Sequence, residues 1–82
     1  MGDEPIPLHR LPVGCCGRVF EMRINDVARR RMLDLGLTFN TEVVALQQSP
    51  SGDPTAYFIR GAVIALRSQD ASQILITPVK SG

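Results

Sequence analysis

The residues best equipped for chemistry are His9, Cys15 and Cys16, one imidazole and two thiols within eight residues. Such a set serves either a nucleophile and its base or a soft-to-borderline transition metal. Catalysis needs His9 to activate a serine or one of the cysteines, with a third group to orient the ring. The chain holds a single histidine and no recognisable third member, so no catalytic set is assembled and an enzyme is not expected. A metal such as Zn or Fe meets a different obstacle. Vicinal cysteines rarely both reach one tetrahedral ion, and no fourth ligand stands at a familiar spacing. His9, Cys15 and Cys16 therefore remain candidate ligands in two ways, as surface residues with no metal or as a partial site completed by a carboxylate or a second molecule. No cofactor is required by any other motif. Gly52 to Thr55, G-D-P-T, lacks the Gly-Lys-Ser/Thr of a phosphate loop and reads as a turn.

A second cluster is the run Arg29 to Arg31 followed by Leu33. It reads as a solvated helix face, as a contact for an acidic protein partner, or as a phosphate-contacting patch. The last would use Phe20, Phe39, Tyr57 and Phe58 for stacking. The net charge of +1 on 82 residues gives no broad field to attract nucleic acid or anionic membrane. A helix-turn-helix would need a second helix after Gly36, where strand is expected instead.

The elements that must position these residues follow from period and punctuation. Ala28, Met32 and Leu35 share one face of a helix over roughly Asp26 to Leu35, capped by Asn25 or Asp26 and stopped at Gly36. Leu33 projects about 140° from that face, outside the main core. Arg30 and Asp34 form an i,i+4 pair in the weaker order. Arg18 to Ile24 alternates as a strand, with Phe20, Met22 and Ile24 on one side and Val19, Glu21 and Arg23 on the other. Thr41 to Gln48, Thr55 to Arg60, Val63 to Ser68 and Gln73 to Val79 are further strands. Gly61 and Ala62 fit a type II′ hairpin loop, and Pro78 places the last strand at an edge or an end. Leu8 to Leu11 makes one helical turn ended by Pro12, and residues 1–7 are a flexible tail. The result is a mainly β domain over residues 8–79, a small five-stranded barrel with one helix inserted after the first strand.

Composition agrees. Apolar residues at 44% and charged residues at 21% suit one small globular domain. The adjacent cysteines have Cα atoms about 3.8 Å apart, below the usual disulfide range of roughly 4.4–6.8 Å. With no other cysteine to pair, a reducing cytoplasm is expected. No apolar run approaches the ~18 residues of a membrane span, and the acidic, proline-containing N-terminus is not a signal peptide.

The landmarks L-H-R-L-P-V-G-C-C-G-R-V from Leu8, R-R-M-L-D-L-G-L from Arg30, T-E-V-V from Thr41, G-D-P from Gly52 and I-R-G-A-V-I-A-L-R from Ile59, closed by Asp70-Ala71 and I-L-I, come in an order that resembles the FeoA family. The resemblance covers about residues 8 to 77. It implies an SH3-like barrel and a cytoplasmic accessory or adaptor role in bacterial ferrous iron uptake. The implied partner is FeoB, the membrane permease with a cytosolic GTP-binding domain, bound and modulated by protein–protein contact. Candidate contacts are Arg29, Arg30, Leu33 and Phe39. Exposed Leu33 and Phe39 would also permit a homodimer. Similar domains end the metal-dependent repressors of the diphtheria-toxin-repressor type. Two departures stand out: Phe39-Asn40 where the family usually has Pro-Gly, and Cys15-Cys16 where it commonly has polar residues. Asn tolerates positive φ best among non-glycine residues, so the turn survives. The alternatives to a FeoB adaptor are a small nucleic-acid-binding barrel and a metal-responsive, self-associating domain.

Overall fold

The computed structural model describes residues 4–79. Six strands form one antiparallel sheet: β1 (Ile6–Pro7), β2 (Cys16–Met22), β3 (Glu42–Gln48), β4 (Thr55–Ile59), β5 (Ala62–Leu66) and β6 (Ile74–Val79). Their order across the sheet is β1-β6-β2-β3-β4-β5. The expected β class with one inserted helix is what forms, but with a sixth strand. Ile6 and Pro7 are not tail: they pair with Ile76 and Leu75 of β6. Residues 1–3 of the expected tail lie outside the described residues. Pro78 is tolerated because β1 covers only Leu75 and Ile76, so the far end of β6 pairs on one side alone, with β2.

The inner face carries Val19, Val43, Ala45, Tyr57, Ile59, Leu66, Ile74 and Ile76. Leu8 and Leu11, flanking a single 3-10 turn at Leu8–Arg10, close one side, and Met32 and Leu37 close another. No buried side-chain polar atom among the described residues lacks a partner, so the core is stabilised almost wholly by apolar burial.

Both long strands depart from simple alternation. The register of β2 against β6 slips between Val19 and Glu21, and that of β3 against β4 slips between Ala45 and Gln47. Each bulge inserts one residue into its strand, so the side chains beyond it change faces. Val19 and Met22 therefore both point inward while Phe20 is exposed, which corrects the expected grouping of Phe20 with Met22. In β3, Leu46 alternates outward after buried Ala45, and the bulge keeps Gln47 outward as well.

Helix α1 (Asp26–Asp34) starts where expected, with the Asn25 side chain accepting the Ala28 N–H at 2.8 Å. It ends in a Schellman motif. Leu37 N–H bonds the Met32 carbonyl at 3.0 Å and Gly36 N–H bonds the Leu33 carbonyl at 2.9 Å, with Gly36 at φ +97°. The expected Arg30–Asp34 pair does not form; among the described residues the only ion pair is the exposed Arg23–Glu21.

The β4–β5 hairpin keeps a two-residue loop but turns one position earlier than expected. Ile59 pairs with Ala62, leaving Arg60 and Gly61 as the loop, at φ +48° and +83°. Two successive positive φ values make a type I′ turn, which matches strand twist, in place of type II′. A Cβ at Gly61 would meet no atom within 4 Å, so a substitution there tests backbone conformation alone. Gly61→Val is expected to cost about 1–2 kcal/mol or more through the left-handed conformation. In thermal unfolding that is a fall of roughly 5–10 °C for a domain this size. A variant as stable as the parent would refute the turn assignment.

The G-D-P turn has a structural task. Asp53 Oδ1 accepts the Ser68 N–H at 2.7 Å and the Ser68 hydroxyl at 3.2 Å. It thereby caps the one-turn helix α2 (Ser68–Ala71), whose own N-cap, Arg67, makes no side-chain cap bond. Next to it, Tyr57 is 1% exposed, which removes it from the expected stacking residues. Burial pushes its phenol above the ordinary 10, opposed by a hydrogen bond from Thr55 and assisted by the negative charge of Asp53. A phenol whose folded value is raised stabilises the fold fully below the unfolded value near 10 and loses that contribution as pH rises through the folded value. Because Tyr57 is the sole tyrosine and there is no tryptophan, alkaline unfolding and phenolate absorbance should rise together. Phenolate appearing at ordinary pH in a still-folded protein would contradict this.

Candidate partner-binding surface

Around Phe39 the fold gathers side chains that sequence places far apart. The loop after α1 is braced at both ends. Thr41 N–H bonds the Thr38 carbonyl at 3.1 Å, the two threonine hydroxyls lie 2.8 Å apart, and Asn40 N–H bonds the Val19 carbonyl at 2.6 Å. Asn40 alone of the central pair has positive φ, +69°, as the third position of a type II turn requires. This geometry holds Phe39 outward at 73% exposure. The Phe-Asn replacement of Pro-Gly therefore keeps the turn and adds an aromatic ring to the surface.

Phe39 borders two depressions. One, of about 270 Å³, is lined by Phe20, Leu33 and Arg29 among others. The outward side of β2 supplies Phe20 and the outward face of α1 supplies Leu33, each a little over 40% exposed. Arg29 reaches back across this hollow, donating from its guanidinium to the Met22 carbonyl at 3.1 Å. Its charge is thus fixed at the rim by a backbone bond. The other depression, of about 460 Å³, runs from Phe39 past Thr41 and Val44 to Phe58 and Arg60. The Arg60 stem crosses the helix exit, so close that a Cβ at Gly36 would lie 2.6 Å from Arg60 Cδ.

The four sequence-predicted contact residues separate. Arg29, Leu33 and Phe39 come together; Arg30 lies apart, beside Asp26 and Val27. Phe20 and Phe58 join the surface though sequence reasoning did not choose them for it. For Phe58 a signal existed, since the run Tyr57-Phe58-Ile59 must turn one apolar residue outward if the other two face the core. For Phe20 none did, because strict alternation ties it to Met22 and only the bulge separates the two.

His9, Cys15 and Cys16 are not gathered into one cluster among the described residues. His9 and Cys15 are exposed and Cys16, opening β2, is half-buried; among the described residues no three His, Cys, Asp or Glu side chains converge. No described helix is long and apolar enough to cross a membrane.

Solved structures share this fold. FeoA from Chlorobium tepidum superposes with a TM-score of 0.86 at 27% identity, covering 92% of this chain and 71% of that one. A FeoA-like protein from Clostridium acetobutylicum gives 0.87 at 26% identity, covering 96% and 92%. FeoA from Stenotrophomonas maltophilia, described as an SH3 domain protein and complexed with zinc, gives 0.75 at 26% identity, covering 84% and 86%. A manganese-dependent transcriptional repressor shares the fold alone, at 17% identity and a TM-score of 0.83 over 94% of this chain and 43% of its own. No curated protein sequence matches at a significant level. The FeoA domain family model matches residues 6–78, from the first strand to the last, and the small SH3-like sheet with its single main helix is the fold of that family. This chain belongs to the FeoA family, which is associated with ferrous iron transport.

Proposed function

We propose that the protein is a cytoplasmic accessory factor of ferrous iron uptake that binds the cytosolic part of the FeoB permease and modulates it by contact. Its non-enzymatic character follows from the same reading. The supporting observation is the convergence of Phe20, Leu33 and Phe39 on one braced surface, with the Arg29 guanidinium at the rim. Aromatic and aliphatic anchors bordered by a fixed charge are the composition of a protein-binding hot spot. The relative from Stenotrophomonas maltophilia is itself named as a candidate activating factor for ferrous iron transport. Calorimetric titration against purified FeoB tests the proposal, using the detached GTP-binding domain and the full-length permease separately. Saturable binding to either supports it; a folded protein that binds neither ends it.

A metal-responsive reading rests on the exposure of His9 and Cys15 and on the zinc held by that relative. With the donors unconverged in one chain, Zn²⁺ or Fe²⁺ would have to sit between molecules. Equilibrium dialysis should then show uptake of about half an ion per chain, lost in Cys15→Ser/Cys16→Ser. Uptake that survives the double substitution would remove the cysteines from any site.

A further inference from the structure

Strand β5 is a sheet edge without the usual protection. It ends the strand order, and its sequence Ala-Val-Ile-Ala-Leu carries no charge, no proline and no register shift. Edge strands are ordinarily blunted by lysine, proline or a bulge, because their unpaired backbone groups template another strand. The opposite edge follows the rule: β1 is two residues long and one of them is proline.

The register says which groups are free. A two-residue hairpin loop makes Ile59 and Ala62 a hydrogen-bonded pair, so Tyr57–Ile64 and Thr55–Leu66 are hydrogen-bonded pairs as well. Val63 and Ala65 alternate with them, and their N–H and C=O groups point away from β4. Both residues are exposed, and among the described residues no loop or turn bonds either backbone. Val63 also ends an outward cross-strand row with Phe58 and Val44, ready to meet side chains of an added strand.

Charge decides the occupant. Arg60 precedes the strand and Arg67 follows it; both are exposed, and neither has an ion pair among the described residues. A second copy paired antiparallel about Ile64 would set Arg67 against Gly61, beside the other copy's Arg60, at both ends. Like charges so placed oppose self-pairing. We propose that the free edge of β5 takes up an extended segment of a partner protein as an added strand, apolar along its middle and acidic at both ends. At about 3.3 Å per residue Ala62–Leu66 runs about 13 Å, so an added segment needs about five residues along the edge with its acidic groups just beyond them at each end. The proposal holds whichever protein supplies the segment, FeoB or another.

The test is an amide NMR titration with an acetylated, amidated peptide of alternating valine and threonine ended by a glutamate on each side. Saturable shifts are expected across Ala62–Leu66, with slowed hydrogen exchange at Val63 and Ala65 and weaker binding as salt rises. The same peptide ended by lysines should not bind, and Arg60→Glu/Arg67→Glu should reverse the preference. Ala65→Pro removes only an outward N–H, so it should keep the fold and lose the binding. Should that variant fail to fold, the charge reversal still decides. The proposal is overturned if neither peptide binds, if both bind equally, or if the shifts fall outside β5. It is also overturned if Val63 and Ala65 are already protected in the free protein by a concentration-dependent dimer.

Discussion

Replacing Leu33 and Phe39 together by aspartate is expected to weaken binding to FeoB at least about thirtyfold while leaving the melting temperature nearly unchanged. Truncating a central anchor of a protein interface typically costs 2 kcal/mol or more, and about 1.4 kcal/mol is a factor of ten. Both side chains point outward, so little core packing is lost with them. The control is Val27→Asp. Val27 is 82% exposed on the same helix, yet it lies beside Arg30 and away from Phe39. It should bind as the parent does. If Val27→Asp costs as much, the interface is the Arg30 side of the helix, and the hollow between Phe20, Leu33 and Phe39 is not the contact. Charge reversal at Arg29 is a less clean probe, because its guanidinium also bonds the Met22 carbonyl. Reversal at Arg30 has no such complication.

Met32→Ala is expected to lower stability by about 2–5 kcal/mol in urea unfolding, the range for emptying a buried long side chain. Met32 is the one fully buried side chain of α1, at 1% exposure, while Ala28 and Leu35 beside it are half-buried. It also contributes the carbonyl that closes the Schellman motif, and it lies in the same core as Leu37 two positions beyond the helix. Emptying its site loosens the helix and the loop that presents Phe39 together. Marginal stability of small domains makes this a large fraction of the total. A loss under about 1 kcal/mol would mean that α1 is held to the sheet by something other than this contact.

Much of the fold was legible because it rests on short-range rules. Asn25 before a helical period, Gly36 after it and turn formers from Ser49 to Pro54 each act within a few residues. The structure places them as those rules require. The hairpin was legible in existence but not in register: Arg60 at positive φ is an uncommon choice, and pairing of Ile59 with Ala62 is settled across strands. The family resemblance, drawn from the order of D-L-G-L, G-D-P and R-G-A-V-I-A-L-R, reached as far as the family match does.

By itself the sequence determined the class, the helix with both its ends, the strand-forming segments and the scarcity of catalytic groups. Periodicity and capping are local, and a single histidine is a matter of counting. Tertiary structure decided which side the decisive residues face. A bulge is an agreement between two strands, and it lets Met22 face the core while Phe20, alternating with Val19, stays outward beside Leu33. Pairing with β6 turns Ile6 and Pro7 from tail into strand. Sheet order leaves β5 at an edge, and among the described residues the fold does not gather His9, Cys15 and Cys16 into one cluster. Each of these outcomes depends on where distant segments come to rest, which no spacing along the chain encodes.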